Sequence, residues 1–312
     1  MANWVKIATF ATHPLRVRED ISPKELTERM IEHWTARLKQ AMYDRPDVIV
    51  LAEACDRPAD YSMDKRRAYY CFRQDQVRDA MAALAKENRC YIAYSAARQL
   101  SDETFRNSTV MIGRKGEICG TYNKNHLVVE ETTMAGILCG KDAPIIETDF
   151  GRVACMICFD LNFDELRNKY AAARPDLILF SSMYHGGMMQ AYTAYRCRSH
   201  FVGAVAGLPS EIRNPLGEVL ARTTNYTDYV VASVNLDCQV VHLDYNEGKL
   251  VELKRKYGPD VTIYDPGLLG SVLITSNAEH VTAKEMVKEF QIEQLDDYMA
   301  RALAHRKINI EP

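Results

Sequence analysis

Three short stretches of this chain are almost continuously apolar: VIVLA at 48–52, the centre of DLILFSS at 176–182, and FVGAVAG at 201–207. A strand without polar alternation has no face to offer to water, so each must be covered on both sides. Amphipathic helical patterns provide that cover. Residues 24–42 set Leu26, Met30, Trp34, Leu38 and Met42 at four-residue steps on one face, behind a Ser22-Pro23 start and ahead of an Arg45-Pro46 stop. A second helical pattern runs over 65–88, with Val77, Met81, Leu84 and Ala85 near its end, and shorter ones cover 163–172 and 187–199. Further strands are expected at 90–96, 108–113 and 117–123, with Arg114-Lys115-Gly116 as a hairpin turn. Others are expected at 145–149 and 152–158, around Phe150-Gly151, and at 229–237. This alternation indicates a layered α/β architecture. The end of the chain differs. Residues 248–270 are rich in Lys, Gly and Pro, and 282–305 read as one charged helix with an apolar stripe of Met286, Phe290, Ile292, Leu295, Met299 and Leu303. The expected organisation is a domain over 1–245 and an extension over 246–312 that packs on the domain or on a neighbouring subunit.

Composition narrows the partners. With 47% hydrophobic residues among 312, the chain can bury a large core. Charged residues are 26% and the net charge is −3, which gives no electrostatic reason to expect nucleic acid or an anionic membrane. The opening MANWVKIATFATHP lacks the pattern of a signal peptide, and no apolar run approaches the roughly 20 residues of a membrane helix. Nine cysteines, an odd number scattered partly through apolar strand-like runs, read as reduced thiols of a cytoplasmic protein.

The densest chemical signal is GRVACMICFDLNFDELR, 151–167, where a strand runs straight into a helix with Cys158 at the junction. A nucleophile at such a turn stands at the sheet edge, facing backbone amides that can stabilise a thiolate and later an oxyanion. Cys155 and Cys158 also make C-x-x-C, so a thiol-redox protein is a rival reading. Residues three apart on a strand point to opposite faces, however, which speaks against a redox pair. No second C-x-x-C or H-x₃-H accompanies it, so no metal is expected. The thiol needs a base, and none of the eight histidines sits in a familiar cysteine-protease context. Glu53 follows the buried strand VIVLA directly, at the carboxyl edge where open α/β sheets bind ligands. Lys124 follows the strand ICGTYN, and a cation near a carbonyl oxygen serves acyl transfer.

In order, DVIVLAE (47–53), GTYNKNHL (120–127) and GRVACMICFDLNFDEL (151–166) resemble the three motifs of the nitrilase superfamily of carbon–nitrogen hydrolases, with separations of 71 and 34 residues between the key positions. The runs 191–207 and 215–221 resemble later family segments, and the likeness covers roughly 4–240. It implies a four-layer α-β-β-α sandwich and hydrolysis of an amide, ureido or N-carbamoyl C–N bond, without a cofactor, on a small-molecule substrate. It further implies Glu53 as base, Cys158 as nucleophile, and Lys124 with the Phe159 backbone amide as oxyanion holders. The second glutamate of the family falls on Glu131 in preference to Glu130, and Asp160 takes a structural role. Phe159-Asp160 stands where a nitrilase carries tryptophan, which disfavours nitriles. Leu161-Asn162 stands where D-carbamoylase-like members carry arginine. Asn162, Tyr184 and His185 are the candidate substrate-binding residues, and the resemblance implies a homodimer or larger homo-oligomer. A catalytically silent binding member of the fold is the other alternative.

Overall fold

The computed structural model describes residues 1–18 and 20–311, in two compact units, Val5–Ser233 and Val234–Pro312 with Met1–Trp4. The first sheet contains β1 (Trp4–Phe10), β2 (Val48–Val50), β3 (Tyr91–Gln99), β4 (Phe105–Ile112) and β5 (Ile118–Asn123), with β12 (Tyr229–Asn235) at its far edge, in the order β12-β1-β2-β3-β4-β5. The second contains β6 (Ile146–Thr148), β7 (Gly151–Ile157), β8 (Leu177–Ser182), β9 (His200–Val205), β10 (Glu211–Arg213) and β11 (Val219–Arg222), in reverse chain order from β11 to β6. Both have a parallel centre and antiparallel flanks: β1, β2 and β3 run parallel and so do β7, β8 and β9. The apolar runs of the sequence occupy those centres, and every residue of β2, β8 and β9 is buried.

The sheets face each other. Thr9 Oγ1 in β1 donates to Gly203 O in β9 at 2.9 Å, and Ser181 Oγ in β8 donates to Leu51 O at 2.7 Å. These hydroxyls satisfy backbone groups that have no water to turn to. On the outer face of the first sheet lie α1 (Pro23–Met42) and α3 (Gln76–Asn88), with Met30, Trp34 and Leu38 packed among Val77, Met81, Ile49 and Ile92. Ser22 caps α1 by accepting from Glu25 N, and Pro23 occupies its first turn. On the second sheet lie α5 (Asp164–Ala173) and α6 (Met188–Cys197), tied to each other by Arg167 Nε to Thr193 Oγ1 at 3.1 Å and to β7 by Tyr170 Oη to Cys155 O at 2.6 Å. The first unit is thus a four-layer α-β-β-α sandwich.

The helical pattern over 65–88 is two helices. α2 (Met63–Arg73) ends at Gln74, whose φ of 43° turns the chain before α3 begins. α2 is anchored by a buried ion pair, Arg73 Nε to Asp56 Oδ2 at 2.6 Å, with Tyr94 Oη donating to the same carboxylate.

In the other unit, β13 (Cys238–His242), β14 (Val261–Tyr264) and β15 (Ser271–Ser276) form an antiparallel sheet in the order β13-β15-β14, with α7 (Glu247–Tyr257). It begins at Val234, ahead of β13, which pairs with β15, and it takes in Met1, whose amino group meets Asp237 at 2.7 Å. The expected helix over 282–305 is broken into α8 (Ala283–Glu289) and α9 (Leu295–Ile308), with Gln291 at a φ of 49° between them. Met286, Ile292 and Leu295 are buried, whereas Met299 and Leu303 are exposed, so the apolar stripe serves a turn and two short helices. No helix among the described residues is long and apolar enough to cross a membrane.

Removing one partner of a buried ion pair strands the other charge, at a cost of about 3–5 kcal/mol. Asp56→Asn is therefore expected to lower the unfolding free energy by about that amount in urea titration, with α2 losing its anchor; an unchanged midpoint would show that the pair contributes nothing.

Candidate active site

The site is built where three strands end, β2 and β7 from the parallel centres of the sheets and β5 from an antiparallel flank. Past β2 the chain continues through Leu51 and Ala52 to Glu53, and the next residue, Ala54, bends it with a φ of 45°. Past β5 comes Lys124, held in place by its own backbone N–H to Asn107 O at 2.8 Å. Past β7, Cys158 opens a single 3-10 turn, Cys158–Asn162, with a φ of 48°. That left-handed conformation costs a non-glycine residue energy, and it turns the nucleophile position sharply out of the strand. Asp160 stabilises the turn. Its carboxylate accepts from Ile157 N at 3.0 Å, His126 N at 2.8 Å and Tyr122 Oη at 2.6 Å, while being wholly buried.

Lys124 is 1% exposed and meets two carboxylates: Glu53 Oε1 at 2.9 Å and Glu131 Oε2 at 2.6 Å. Burial opposes the charge on Lys124, but Glu53 and then Glu131 outweigh it and hold the ammonium above its ordinary pKa. Glu131 lies in the short helix α4 (Val129–Thr133) and also accepts from Val128 N at 3.1 Å, whereas Glu130 is exposed. Asn107, in β4, bridges the pair by donating from Nδ2 to Glu53 Oε1 at 2.8 Å and to Glu131 Oε1 at 3.0 Å. The Cys158 thiol is pushed up to about 12 by burial and then by the Glu53 charge, while Lys124 and the Met183 backbone pull the other way. The resting site therefore holds a neutral thiol beside a carboxylate.

Glu53, Asn107, Lys124, Glu131 and Cys158 line one cavity of about 250 Å³. The other expected residues lie elsewhere. Phe159 follows Cys158 in the turn, edge-on to Phe163 with ring centroids 5.1 Å apart. Asn162 is exposed and braces the turn by donating to Phe159 O at 3.2 Å. Tyr184 is half-buried beside Asn162, and His185 accepts from Gly187 N and faces Glu211 at 3.6 Å. None of the four lines the cavity. Its remaining walls come from residues without a signal in the motif pattern: Arg57, Arg66 and Arg67, Met63, Tyr70, Phe105 and Met183. Asn107 was the more legible omission, a polar residue inside the strand run that carries STVMIG. Among the described residues no cluster of three or more His, Cys, Asp or Glu is arranged to hold a metal ion.

Comparison with known proteins bears on the family and the fold. The sequence profile of the carbon-nitrogen hydrolase family matches residues 20–239. The chloroplastic omega-amidase of Arabidopsis thaliana is 23% identical over 241 residues, covering 67% of this chain and 64% of that protein, so the match spans less than two thirds of the relative's length. Nit3 of Saccharomyces cerevisiae, a member of branch 10 of the nitrilase superfamily, has a TM-score of 0.63 at 15% identity, covering 82% of this chain and 95% of Nit3. A variant of the amidase from Nesterenkonia sp. AN1 has a TM-score of 0.59 at 15% identity, covering 81% of this chain and 96% of its own, and shows the acetamide moiety of fluoroacetamide added covalently at its active-site cysteine. At those identities the two structures speak for the fold, and the profile, which spans well over half of the chain, speaks for the family. The chain belongs to the carbon-nitrogen hydrolase family.

Proposed function

We propose that this protein is an amidase that cleaves a non-peptide carboxamide through a Cys158 thioester and releases ammonia. The observation that carries the reading is the convergence of Glu53, Lys124, Glu131 and Cys158 in one cavity. The covalent cysteine adduct of the Nesterenkonia amidase supports the choice of nucleophile, and the omega-amidase relative supports an amide as substrate.

With the thiol at about 12, almost no thiolate exists at neutral pH, so the proton leaves during attack. Glu53 accepts it. The hydrogen bonds from Lys124 and Asn107 both fall on Oε1, which leaves the other oxygen for the thiol proton. Sulfur bonds to the amide carbon, and the carbonyl electron pair moves to oxygen, where Lys124 and the Phe159 backbone amide stabilise it. As the C–N bond breaks, Glu53 returns the proton to the leaving nitrogen. Water, deprotonated by Glu53, then adds to the thioester, and the thiol leaves with its proton restored. Glu131 keeps the ammonium of Lys124 in position. Cys155 has no part in this. It is fully buried in β7, its thiol raised to about 12 by burial alone, and it does not line the cavity, which speaks against a redox pair with Cys158.

Purified protein is expected to release ammonia from carboxamides in a panel that also holds N-carbamoyl amino acids and nitriles. Mass spectrometry should show an acyl adduct on wild type and none on Cys158→Ala; a folded wild type that forms no adduct with any member would sink the amidase reading. Glu53→Gln should lower kcat/KM by about 10²–10⁴, the usual contribution of a general base. The same variant should titrate its thiol at lower pH by thiolate absorbance, because a negative neighbour that disfavours the thiolate is gone. A thiol that titrates higher in the variant would contradict this electrostatic account. Glu131→Gln is expected to cost about 10² in kcat, in line with loss of support for an oxyanion donor, while Glu130→Gln stays at wild-type rate; equal losses in both would remove the distinction between the two glutamates.

A further inference from the structure

Helix α9 buries only Leu295 among its 14 residues. Its first turns lean on the small sheet, where the Tyr298 ring stacks on His242 with centroids 4.0 Å apart and Tyr298 Oη donates to Asp244 Oδ2 at 2.9 Å. Beyond that contact the helix meets water, with Met299 43% exposed and Leu303 62% exposed. Isolated helices of about 12–15 residues are marginal in water and are held by the packing of an apolar face. Met299 and Leu303 are four residues apart, so they form such a face. Asp296 stands three residues before Met299, and Arg306 three residues after Leu303, which brings both charges onto the same face. Arg301 lies on another side and is engaged by Glu293 at 2.8 Å, whereas Arg306 and Lys307 are in no ion pair among the described residues. The pattern Asp296-x-x-Met299-x-x-x-Leu303-x-x-Arg306 is symmetric about Arg301, with apolar matched to apolar and the charge inverted from one end to the other.

We propose that this face of α9 pairs with α9 of a second copy of the chain, antiparallel, about a two-fold axis at the level of Arg301. A two-fold contact must be self-complementary, because each surface meets its own image. In the antiparallel arrangement Asp296 meets the partner's Arg306, Met299 meets the partner's Leu303, and both pairs occur twice. A parallel arrangement would set Asp296 against Asp296 and Arg306 against Arg306, so charge selects the antiparallel one. An acidic start and a basic end also suit the dipole of the helix itself, but the apolar pair exposed between them does not follow from that. The contact belongs to the unit formed by Val234–Pro312, and α9 lies beyond residues 20–239, which match the family. It is independent of the amidase reading. A helix of this length is about 21 Å long, and one face of it covers less than the roughly 1,200–2,000 Å² of a stable interface. The pair is therefore reversible, and its exposed ion pairs weaken with salt.

The native chain supplies the first test. Asp296 and Lys307 are 11 residues apart on one helix, about 16 Å along its axis, too far to be joined directly within a single chain. Antiparallel pairing brings Lys307 beside the partner's Asp296. Carbodiimide coupling of an equal mixture of heavy-nitrogen-labelled and unlabelled full-length protein should therefore yield a peptide joined at Asp296 and Lys307 that carries one labelled and one unlabelled half. The second test is sedimentation of full-length protein over about 1 μM to 1 mM, the range of weak association. Leu303→Glu, Asp296→Lys and Arg306→Glu should each associate about tenfold more weakly than wild type, since two-fold symmetry places each change in the contact twice. An equal mixture of Asp296→Lys with Arg306→Glu should recover the wild-type strength, because opposite charges meet again. Each variant should keep the wild-type circular dichroism, which separates a lost contact from a lost fold. Absence of the mixed-label peptide, single variants that associate as tightly as wild type, or a mixture no stronger than its components would each overturn the pairing.

Discussion

One buried ammonium organises the catalytic unit. Lys124 is 1% exposed, and an ion removed from water to that extent persists only with close partners. Its two carboxylates arrive from separate places in the chain, Glu53 from the end of β2 and Glu131 from α4. Asn107 in β4 clips both of them from the other side. If either carboxylate drifted, the ammonium would be left buried and under-paired, so the ends of the strands are held in one arrangement by these charges.

Cys158 depends on that arrangement and on a second one. Cys158 sits in a left-handed conformation that the backbone would not hold unaided, and the Asp160 carboxylate supplies the restraint through hydrogen bonds from Ile157, His126 and Tyr122. Next to Glu53 the thiol is neutral at rest, which avoids a third negative charge in a pocket that already holds two carboxylates against one lysine. The buried Asp56–Arg73 pair ties α2 to the turn that bears Glu53 and Arg57, so both sides of the cavity share one foundation.

Much of the fold was legible because its signals are local. Continuous apolar runs marked β2, β8 and β9, and the four-residue steps of Leu26, Met30, Trp34 and Leu38 marked α1. Helix breaks were not legible. Gln74 and Gln291 both take a positive φ, and neither is glycine or proline, so nothing in residue type announced that 65–88 or 282–305 would divide. The site divided in the same way. Glu53, Lys124 and Cys158 each follow a recognisable strand, and strand ends can be counted in sequence. Tyr184 and His185 also follow a strand, β8, but the turn that they begin carries His185 towards Glu211 and away from the cavity.

The sequence by itself determined the strand centres, the helix that covers the first of them, and the three positions where chemistry was to be sought, since periodicity and strand boundaries are properties of neighbouring residues. Only the tertiary structure decided which of two adjacent glutamates meets Lys124: Glu131 lies 2.6 Å from its ammonium, and Glu130 is exposed. It alone brought Asn107 between two carboxylates, and set Arg57, from the turn after Glu53, and Arg66, from α2, at the wall of the cavity. Those outcomes depend on which distant groups meet in low dielectric, and the energy of such a meeting is set by the distance and burial of both partners.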